Sequence, residues 1–340
     1  MNRWWIFWIL AAALIWLFVN SFAEIKGTTE LLLKGNMEWI LIAMLLQAAY
    51  YTVATVMLWF AFKAVGVKSR VKELLPLTFG SQFVNTIVPG GGIGGASLFI
   101  DDLSNRGQSP ARVTAGTLLA QISDYVSFGL VLAASLGYLY MQKELKEYEI
   151  IGTVLMLLSV CGLSTVLLLG MFRPALLERI FSLAQKGINF LACKIRHKPL
   201  LGVGWASQNA SDFINASKAI DANPAGRACT LGIALGSHLI NIASIYALFL
   251  AYHNPISIGS LVSGYAIGIL SLKISPVPQG IGIVEGAMTL AYSSLGVHGT
   301  TATVVVLAFR GLDFWLPMLV GFFLLRRAKI SGLLERRHEV

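Results

Sequence analysis

The sequence predicts an all-α integral membrane protein built around an inverted internal repeat. Of its 340 residues, 56% are hydrophobic and only 13% are charged, and the mean hydropathy is +0.71. A soluble domain carries about 25% charged residues. The apolar residues form runs long enough to cross a bilayer, and two of the runs are broken at matching places in the two halves of the chain.

Six apolar runs have the length of full transmembrane helices. A helix rises 1.5 Å per residue, so about 20 residues cross the roughly 30 Å of hydrocarbon in a bilayer. The runs cover residues 4–23, 38–62, 112–140, 150–171, 228–252 and 300–325. The first run follows Arg3 as in a signal peptide, but its spanning length favours a membrane anchor.

Two further apolar stretches, 74–104 and 258–295, do not have the pattern of simple spans because proline and glycine interrupt them. The breaks contain Pro89, Gly91 and Gly92 in the first stretch and Pro278, Gly280 and Gly282 in the second. An unpaired backbone amide in hydrocarbon costs several kcal/mol, so such breaks must be buried in protein or line a wet cavity. We expect two re-entrant helical hairpins with the prolines as hinges. If each stretch instead crossed the membrane fully twice, every other segment would lie on the same side as before, so the topology does not distinguish the two arrangements.

The distribution of charge orients the chain. Basic residues gather in 63–72, 172–227 and the tail beyond 325, whereas 24–37 and 141–149 hold at least as many acidic residues as basic ones. The positive-inside rule then predicts a multi-pass protein of the cell inner (cytoplasmic) membrane with both termini in the cytoplasm. The net charge of +9 is explained in this way, and no nucleic-acid partner is expected. Residues 172–227 are predicted to be a cytoplasmic amphipathic connector.

The two halves of the chain match when one is shifted along the other by a single constant offset. Pro89 then aligns with Pro278, Gly91 with Gly280, Gln121 with Arg310, and Asp124 with Asp313. We therefore predict a single membrane domain over 1–340, with a first repeat at 38–140 and a second, inverted repeat at 228–325. Inverted repeats with broken helices are typical of secondary transporters.

Ionisable side chains inside the apolar segments are the candidate site. A charge at bilayer depth costs at least about 2.5–3.5 kcal/mol, so such residues usually face a cavity or a partner. The predicted substrate-binding residues are Arg310, Glu285, Asp313, Asp124, Lys273, Gln121, Gly91, Gly92, Gly280 and Gly282. The glycines are expected to expose free backbone N–H groups to an anion such as phosphate.

Each of these residues also has a purely structural interpretation. Arg310 and Asp313 are three residues apart on one helix and could form an ion pair. Lys273 could hold a phosphate, but the sequence slightly favours its extending toward the interface. His238 forms a polar stripe with Ser237 and Asn241, which favours hydrogen bonding between helices over proton coupling.

Three motifs of the second half carry a resemblance to a known family. They are PQGIGIVE at 278–285, LGV at 295–297 and RGLDFWLP at 310–317. With the first Pro-Gly motif at 89–96, they resemble the lysylphosphatidylglycerol synthase transmembrane (flippase-like) family over nearly the whole chain. The resemblance implies lipid translocation without the soluble synthase domain. Many relatives have an acidic residue near Ala96 or Ser97 and an Arg at Gln121, so the first half is expected to bind differently.

The function that the sequence predicts is therefore a lipid flippase, with a membrane phospholipid or polyprenyl-phosphate-linked lipid as its partner. The alternatives are an accessory subunit of a separate synthase or transferase, and a membrane enzyme acting on lipid-linked phosphate. The sequence contains no catalytic motif, and its three cysteines and five histidines lack metal-site spacing. We thus expect a protein that is not an enzyme and has no cofactor or metal, while self-association stays open.

Overall fold

A computed structural model describes residues 35–87, 93–142, 147–196, 202, 204–275 and 277–326. The predicted span 4–23 lies outside these residues, as do Pro89, Gly91 and Gly92 and the basic tail. Within the described ranges the regular structure is helical and contains no strand, so the predicted all-α class is confirmed.

The helices follow one another with short connections. They are α1 (Met37–Ala64), α2 (Val71–Ile87), α3 (Ile93–Asn105), α4 (Pro110–Gln142), α5 (Glu147–Phe172), α6 (Pro174–Arg196), α7 (Trp205–Ala222), α8 (Pro224–Ala251), α9 (Ile258–Ile274), α10 (Ile283–Ser294) and α11 (Gly299–Arg326). Among the described residues, five helices are long and apolar enough to span a membrane: α1, α4, α5, α8 and α11. They coincide with five of the six predicted spans.

The two halves contain the same series of helices. α1 and α8 each have 28 residues, and α2 and α9 each have 17. The third members, α3 and α10, have 13 and 12 residues. The turns that precede α4 and α11 also match, because each contains a glycine with positive φ, Gly107 at +79° and Gly296 at +91°. These glycines are separated by the same offset that aligns the two prolines in the sequence.

Equivalent helices α1 and α8 pack against each other in antiparallel orientation, and their contact is the most extensive in the described structure. The N–H of Asn36, which caps the start of α1, donates to the carbonyl of Ala251 at the end of α8 at 2.9 Å. Further along, Gln47 Nε2 donates to Asn241 Oδ1 at 2.9 Å. Residues later in α1 therefore contact residues earlier in α8, so the two helices are antiparallel. Because they are the equivalent helices of the two repeats, a pseudo-twofold axis lies between them.

Each repeat also contains a pair of short helices, α2 with α3 and α9 with α10. A 17-residue helix is about 26 Å long and a 12-residue helix about 18 Å, so each arm is shorter than the hydrocarbon layer. In the second pair the elbow is a short 3-10 turn at Pro278–Gly280, followed by Gly282 with a φ of +82° just before α10. The depth of these hairpins in a membrane stays a prediction.

The connector between the repeats consists of α6 and α7, which pack on each other and on the first repeat. The rings of Phe181 and Trp205 lie 6.0 Å apart between the two helices. Ser109 Oγ, just before α4, donates to Asp212 Oδ2 on α7 at 2.6 Å. The predicted connector is therefore helical, and its position at the cytoplasmic face stays a prediction.

Candidate functional site

The side chain of Arg310 lies at the centre of a buried ion cluster in the second repeat and is only 3% exposed. Its Nε donates to Glu285 Oε1 at 2.7 Å, and its Nη2 donates to the carbonyl of Gln279 at 3.0 Å. Asp313 Oδ2 is more distant, at 3.9 Å from Nη1. The neighbour predicted from helix spacing is thus the weaker partner, because Glu285 approaches from the facing helix α10.

Glu285 also fills the helix N-terminus that was expected to be open to an anion. Its Oε2 accepts the backbone N–H of Gly282 at 2.7 Å, the amide at the start of α10. A carboxylate at a helix N-terminus is favourable because of the partial positive charge there. The expectation of a free N–H at Gly282 is therefore wrong, since the chain supplies its own anion.

The elbow residue Gln279 has a φ of +53°, a conformation uncommon for a residue with a Cβ. Its carbonyl accepts from Arg310, and its Nε2 lies 3.4 Å from Gln82 Oε1 on α2. Arg310 therefore holds together the elbow of the second hairpin and the start of α10. Residues in such conformations often lie at functional sites.

A polar path continues from this cluster to the first repeat. Gln82 Nε2 donates to Tyr51 Oη on α1 at 3.0 Å, and Tyr51 Oη donates to the carbonyl of Asp313 at 2.6 Å. α11 is π-helical over Gly311–Trp315, the segment that contains Asp313. π-helical turns frequently occur at functional sites.

A second ion cluster surrounds Asp124 on α4. Lys273 Nζ, at the end of α9, lies 2.6 Å from Asp124 Oδ2, and His238 Nε2, on α8, lies 3.3 Å from Oδ1. His238 Nδ1 in turn lies 2.7 Å from Tyr265 Oη. The Lys273 side chain is 11% exposed, with Nζ 3.9 Å from the centre of the Tyr125 ring. Lys273 thus points into the protein, and the slightly favoured extension toward the interface is wrong.

The two clusters contain equivalent aspartates, although Lys273 and His238 of the Asp124 cluster belong to the second repeat. Asp124 and Asp313 match at the offset that aligns the two prolines, and Tyr51 and His238 occupy the same place on the helices α1 and α8. Each of these two side chains contacts the backbone oxygen of the aspartate in the other half, Tyr51 at 2.6 Å and His238 at 3.3 Å. The pseudo-twofold axis therefore relates the two aspartates and the side chains that contact them, as well as the helices.

The clusters differ in charge because the sequences of the repeats differ. Arg310 and Lys273 supply two cations, while Asp124, Asp313 and Glu285 supply three carboxylates. With His238 neutral, these groups leave one carboxylate in excess. Each cation is already paired with a carboxylate, so a phosphate would compete with that carboxylate for Arg310 or Lys273.

The structure thus brings together Arg310, Glu285 and Asp313 in one cluster, and Asp124 and Lys273 in another. Gln121 lies one turn before Asp124 on α4, at the position of Arg310 in the second repeat, while Gly280 and Gly282 form the elbow beside Arg310. Sequence reasoning missed Tyr51, Gln82 and Tyr265. The polar positions of Tyr51 and Gln82 within apolar helices were the available signal. In the part of the chain that the structure covers, no three His, Cys, Asp or Glu side chains converge as metal ligands would.

Fold and site together define a class: a polytopic membrane protein whose two matching helix series meet at buried charged clusters. The chain belongs to the family described as lysylphosphatidylglycerol synthase TM region, whose profile matches residues 4–321. It is similar to the UPF0104 membrane protein MJ1595 of Methanocaldococcus jannaschii, with 21% identity over 319 residues and 92% of each chain covered. The UPF0104 membrane protein PH1989 of Pyrococcus horikoshii is 24% identical over 328 residues, again with 92% of each chain covered.

Proposed function

We propose that this protein translocates a phospholipid or lipid-linked phosphate headgroup across the cytoplasmic membrane and has no catalytic activity of its own. The observation that supports this most is the pair of ion clusters buried between the helices of two repeats. Charged groups inside membrane helices are costly and usually mark a substrate or ion pathway. Transporters with inverted repeats bind their substrates at the interface between the repeats.

In this mechanism the headgroup exchanges partners with the two clusters. The guanidinium of Arg310 can hold two phosphate oxygens at once, and the ammonium of Lys273 can hold a phosphate as a point charge. The carboxylates that they release accept hydrogen bonds from hydroxyl or amino groups of the same headgroup. The acyl chains stay in the bilayer, so only the polar part of the lipid needs the interior of the protein.

The exchange of partners also links binding to movement. Arg310 holds the elbow through the carbonyl of Gln279 and holds α10 through Glu285. Lys273 holds the end of α9 to Asp124 on α4 of the first repeat. A phosphate that displaces these carboxylates loosens the second hairpin from its neighbours. Alternating access then follows from movement of one repeat against the other.

The double substitution R310Q/E285Q tests the proposal, because it removes both members of the closest ion pair of the cluster. We expect the flipping rate of a fluorescent phospholipid in proteoliposomes to fall at least about tenfold, since the phosphate loses a charged partner worth roughly 1.5–3 kcal/mol. The matched control is R227Q/D221N, which removes the exposed pair between Arg227 Nη1 and Asp221 Oδ1 at 3.6 Å. The control should flip lipid at the parental rate.

The result that would overturn the proposal is an unchanged flipping rate in R310Q/E285Q, with helicity and elution volume in detergent equal to those of the parent. A parental protein that flips no lipid but co-purifies with a synthase or transferase would favour an accessory subunit instead. Formation of a modified lipid by the purified parent would favour an enzyme.

A further inference from the structure

A basic cleft lies at the C-terminal end of α1, where the chain turns into α2. It has a volume of about 740 Å³ and is open on one side. Its lining includes Trp59 and Lys63 on α1, Lys68 and Arg70 in the turn, and Glu73 on α2. Trp59 lies eight residues beyond Tyr51 on α1, about 12 Å along the helix axis, so the cleft is separate from the ion clusters.

The cations of the cleft are available to a ligand. Lys63, Lys68 and Arg70 are all exposed, and within the described ranges none of them forms an ion pair. The carboxylate of the lining, Glu73, is already bound by Arg106 at 3.0 Å. The cleft therefore presents three positive charges that no carboxylate of the described residues pairs with, since its one lining carboxylate is held by Arg106.

The cleft also has an aromatic wall of the kind found at membrane interfaces. The indole N–H of Trp59 donates to the carbonyl of Ser69 at 3.1 Å and so fixes the turn against α1. Lys63 Nζ lies 5.1 Å from the centre of the Trp59 ring. Tryptophan prefers the level of the lipid headgroups, because its ring is apolar and its N–H is polar. The three cations thus lie where headgroup phosphates would be.

The equivalent turn of the second repeat shows that the fold of this segment does not depend on the cations. Gly66 and His253 take matching positive φ values, +76° and +53°. Val67 N–H donates to the Phe62 carbonyl at 2.9 Å, and the matching bond from Asn254 to Phe249 measures 3.0 Å. The places of Lys63, Lys68 and Arg70 are taken there by Leu250, Pro255 and Ser257. The same turn therefore forms without a single cation.

We propose that this cleft binds the phosphate of an anionic phospholipid headgroup, as a site distinct from the ion clusters. Lys63, Lys68 and Arg70 contact the phosphate oxygens, and Trp59 packs against the glycerol backbone at the interface. The site requires no transport activity, so it can exist whether or not the protein flips lipid.

The test compares the retention of phosphatidylglycerol and phosphatidylcholine by the full chain, using native mass spectrometry from mixed micelles. The variant is K63Q/K68Q/R70Q. The matched control is K72Q/R173Q/K218Q, which removes three exposed cations that do not line the cleft. Since one cation near an anionic lipid surface contributes roughly fivefold, we expect the cleft variant to lose phosphatidylglycerol affinity about 100-fold. The control should keep the parental affinity and the preference over phosphatidylcholine.

A second arm identifies the source of the phosphate. If inorganic phosphate alone displaces phosphatidylglycerol from the parent and from the control variant, the phosphate group is sufficient for binding, which supports the site. Equal affinities in the cleft variant and the control, or equal retention of the two lipids by the parent, would overturn the proposal. Neither result bears on flipping, which R310Q/E285Q tests separately.

Discussion

Lys273 shows how the surroundings of one residue decide its role. Its position near the end of an apolar helix is compatible with an ammonium that extends toward the membrane surface. In the structure the ammonium instead lies 2.6 Å from Asp124 Oδ2, with the Tyr125 and Phe128 rings on its flank. Burial of either charge alone would be costly, so each residue depends on the other.

At this scale we predict strong energetic coupling between Lys273 and Asp124. Lys273→Met alone leaves a partly buried carboxylate without its cation and should lower the free energy of unfolding by about 1–3 kcal/mol. Combining it with Asp124→Asn should cost less than the sum of the single changes, with a coupling energy of about 1–3 kcal/mol. Unfolding in detergent by sodium dodecyl sulfate, followed by circular dichroism, measures the cycle.

The control is the exposed pair formed by Arg227 and Asp221, whose atoms lie 3.6 Å apart. Its coupling should be below about 1 kcal/mol, as is usual for surface pairs. A coupling energy at Lys273 and Asp124 no larger than at this pair would contradict the assignment of a buried ion cluster.

At the scale of elements, the end of α11 packs closely on α2. A Cβ on Gly321 would overlap the backbone carbonyl of Phe79, and the rings of Phe83 and Phe322 lie 5.3 Å apart in the same contact. This contact joins the first hairpin to the last span, so it is one of the contacts that hold the two repeats together. Small residues at helix interfaces allow such approaches in membrane proteins.

Gly321→Ala should therefore push α11 away from α2 and lower the free energy of unfolding by about 1–3 kcal/mol, the usual cost of overpacking. Gly137→Ala on α4 is the matched control, because a Cβ there meets no atom within 4 Å. The control should be neutral or slightly stabilising, since alanine favours the helix over glycine. Thermal unfolding of both variants in one detergent decides the matter, and equal melting temperatures would refute the close contact.

At the scale of the whole molecule, the antiparallel packing of α1 and α8 gives the first helices of the two repeats opposite directions. The end of α4 and the connector are separated by one further span, α5. If α5 crosses the membrane, residues 141 and 208 lie on opposite sides of it, and the positive-inside rule predicts that residue 208 is in the cytoplasm.

Cysteine labelling tests this topology. In a chain whose native cysteines are replaced by serine, Met141→Cys should react with a membrane-impermeant maleimide in intact cells, because residue 141 is exposed. Gln208→Cys, also exposed, should react only after the membrane is opened. Labelling of both positions from outside would contradict the orientation, and labelling of neither would contradict the exposure of residue 141.

The sequence by itself determined the features that depend on local composition. Runs of about 20 apolar residues can satisfy their backbone in a membrane only as helices, so the class and five of the predicted spans follow directly. The constant offset between the two halves was also visible, because proline and glycine interrupt helices and an aspartate is rare in an apolar span. Ionisable residues within apolar segments identified Arg310 and Glu285 as candidates without any coordinates.

Only the tertiary structure decided which of these residues meet. Lys273 and Asp124 are 149 residues apart, and Tyr51 and Asp313 are 262 residues apart. Their pairing depends on how each helix is rotated about its axis and on the antiparallel contact of α1 with α8. A pattern of apolar residues does not encode that rotation when a helix is apolar on nearly every face, since packing against neighbours then determines it. The bond from the N–H of Gly282 to Glu285 is local, since both residues belong to the first turn of α10, whereas the pairing of Glu285 with Arg310 of α11 depends on how the two helices pack.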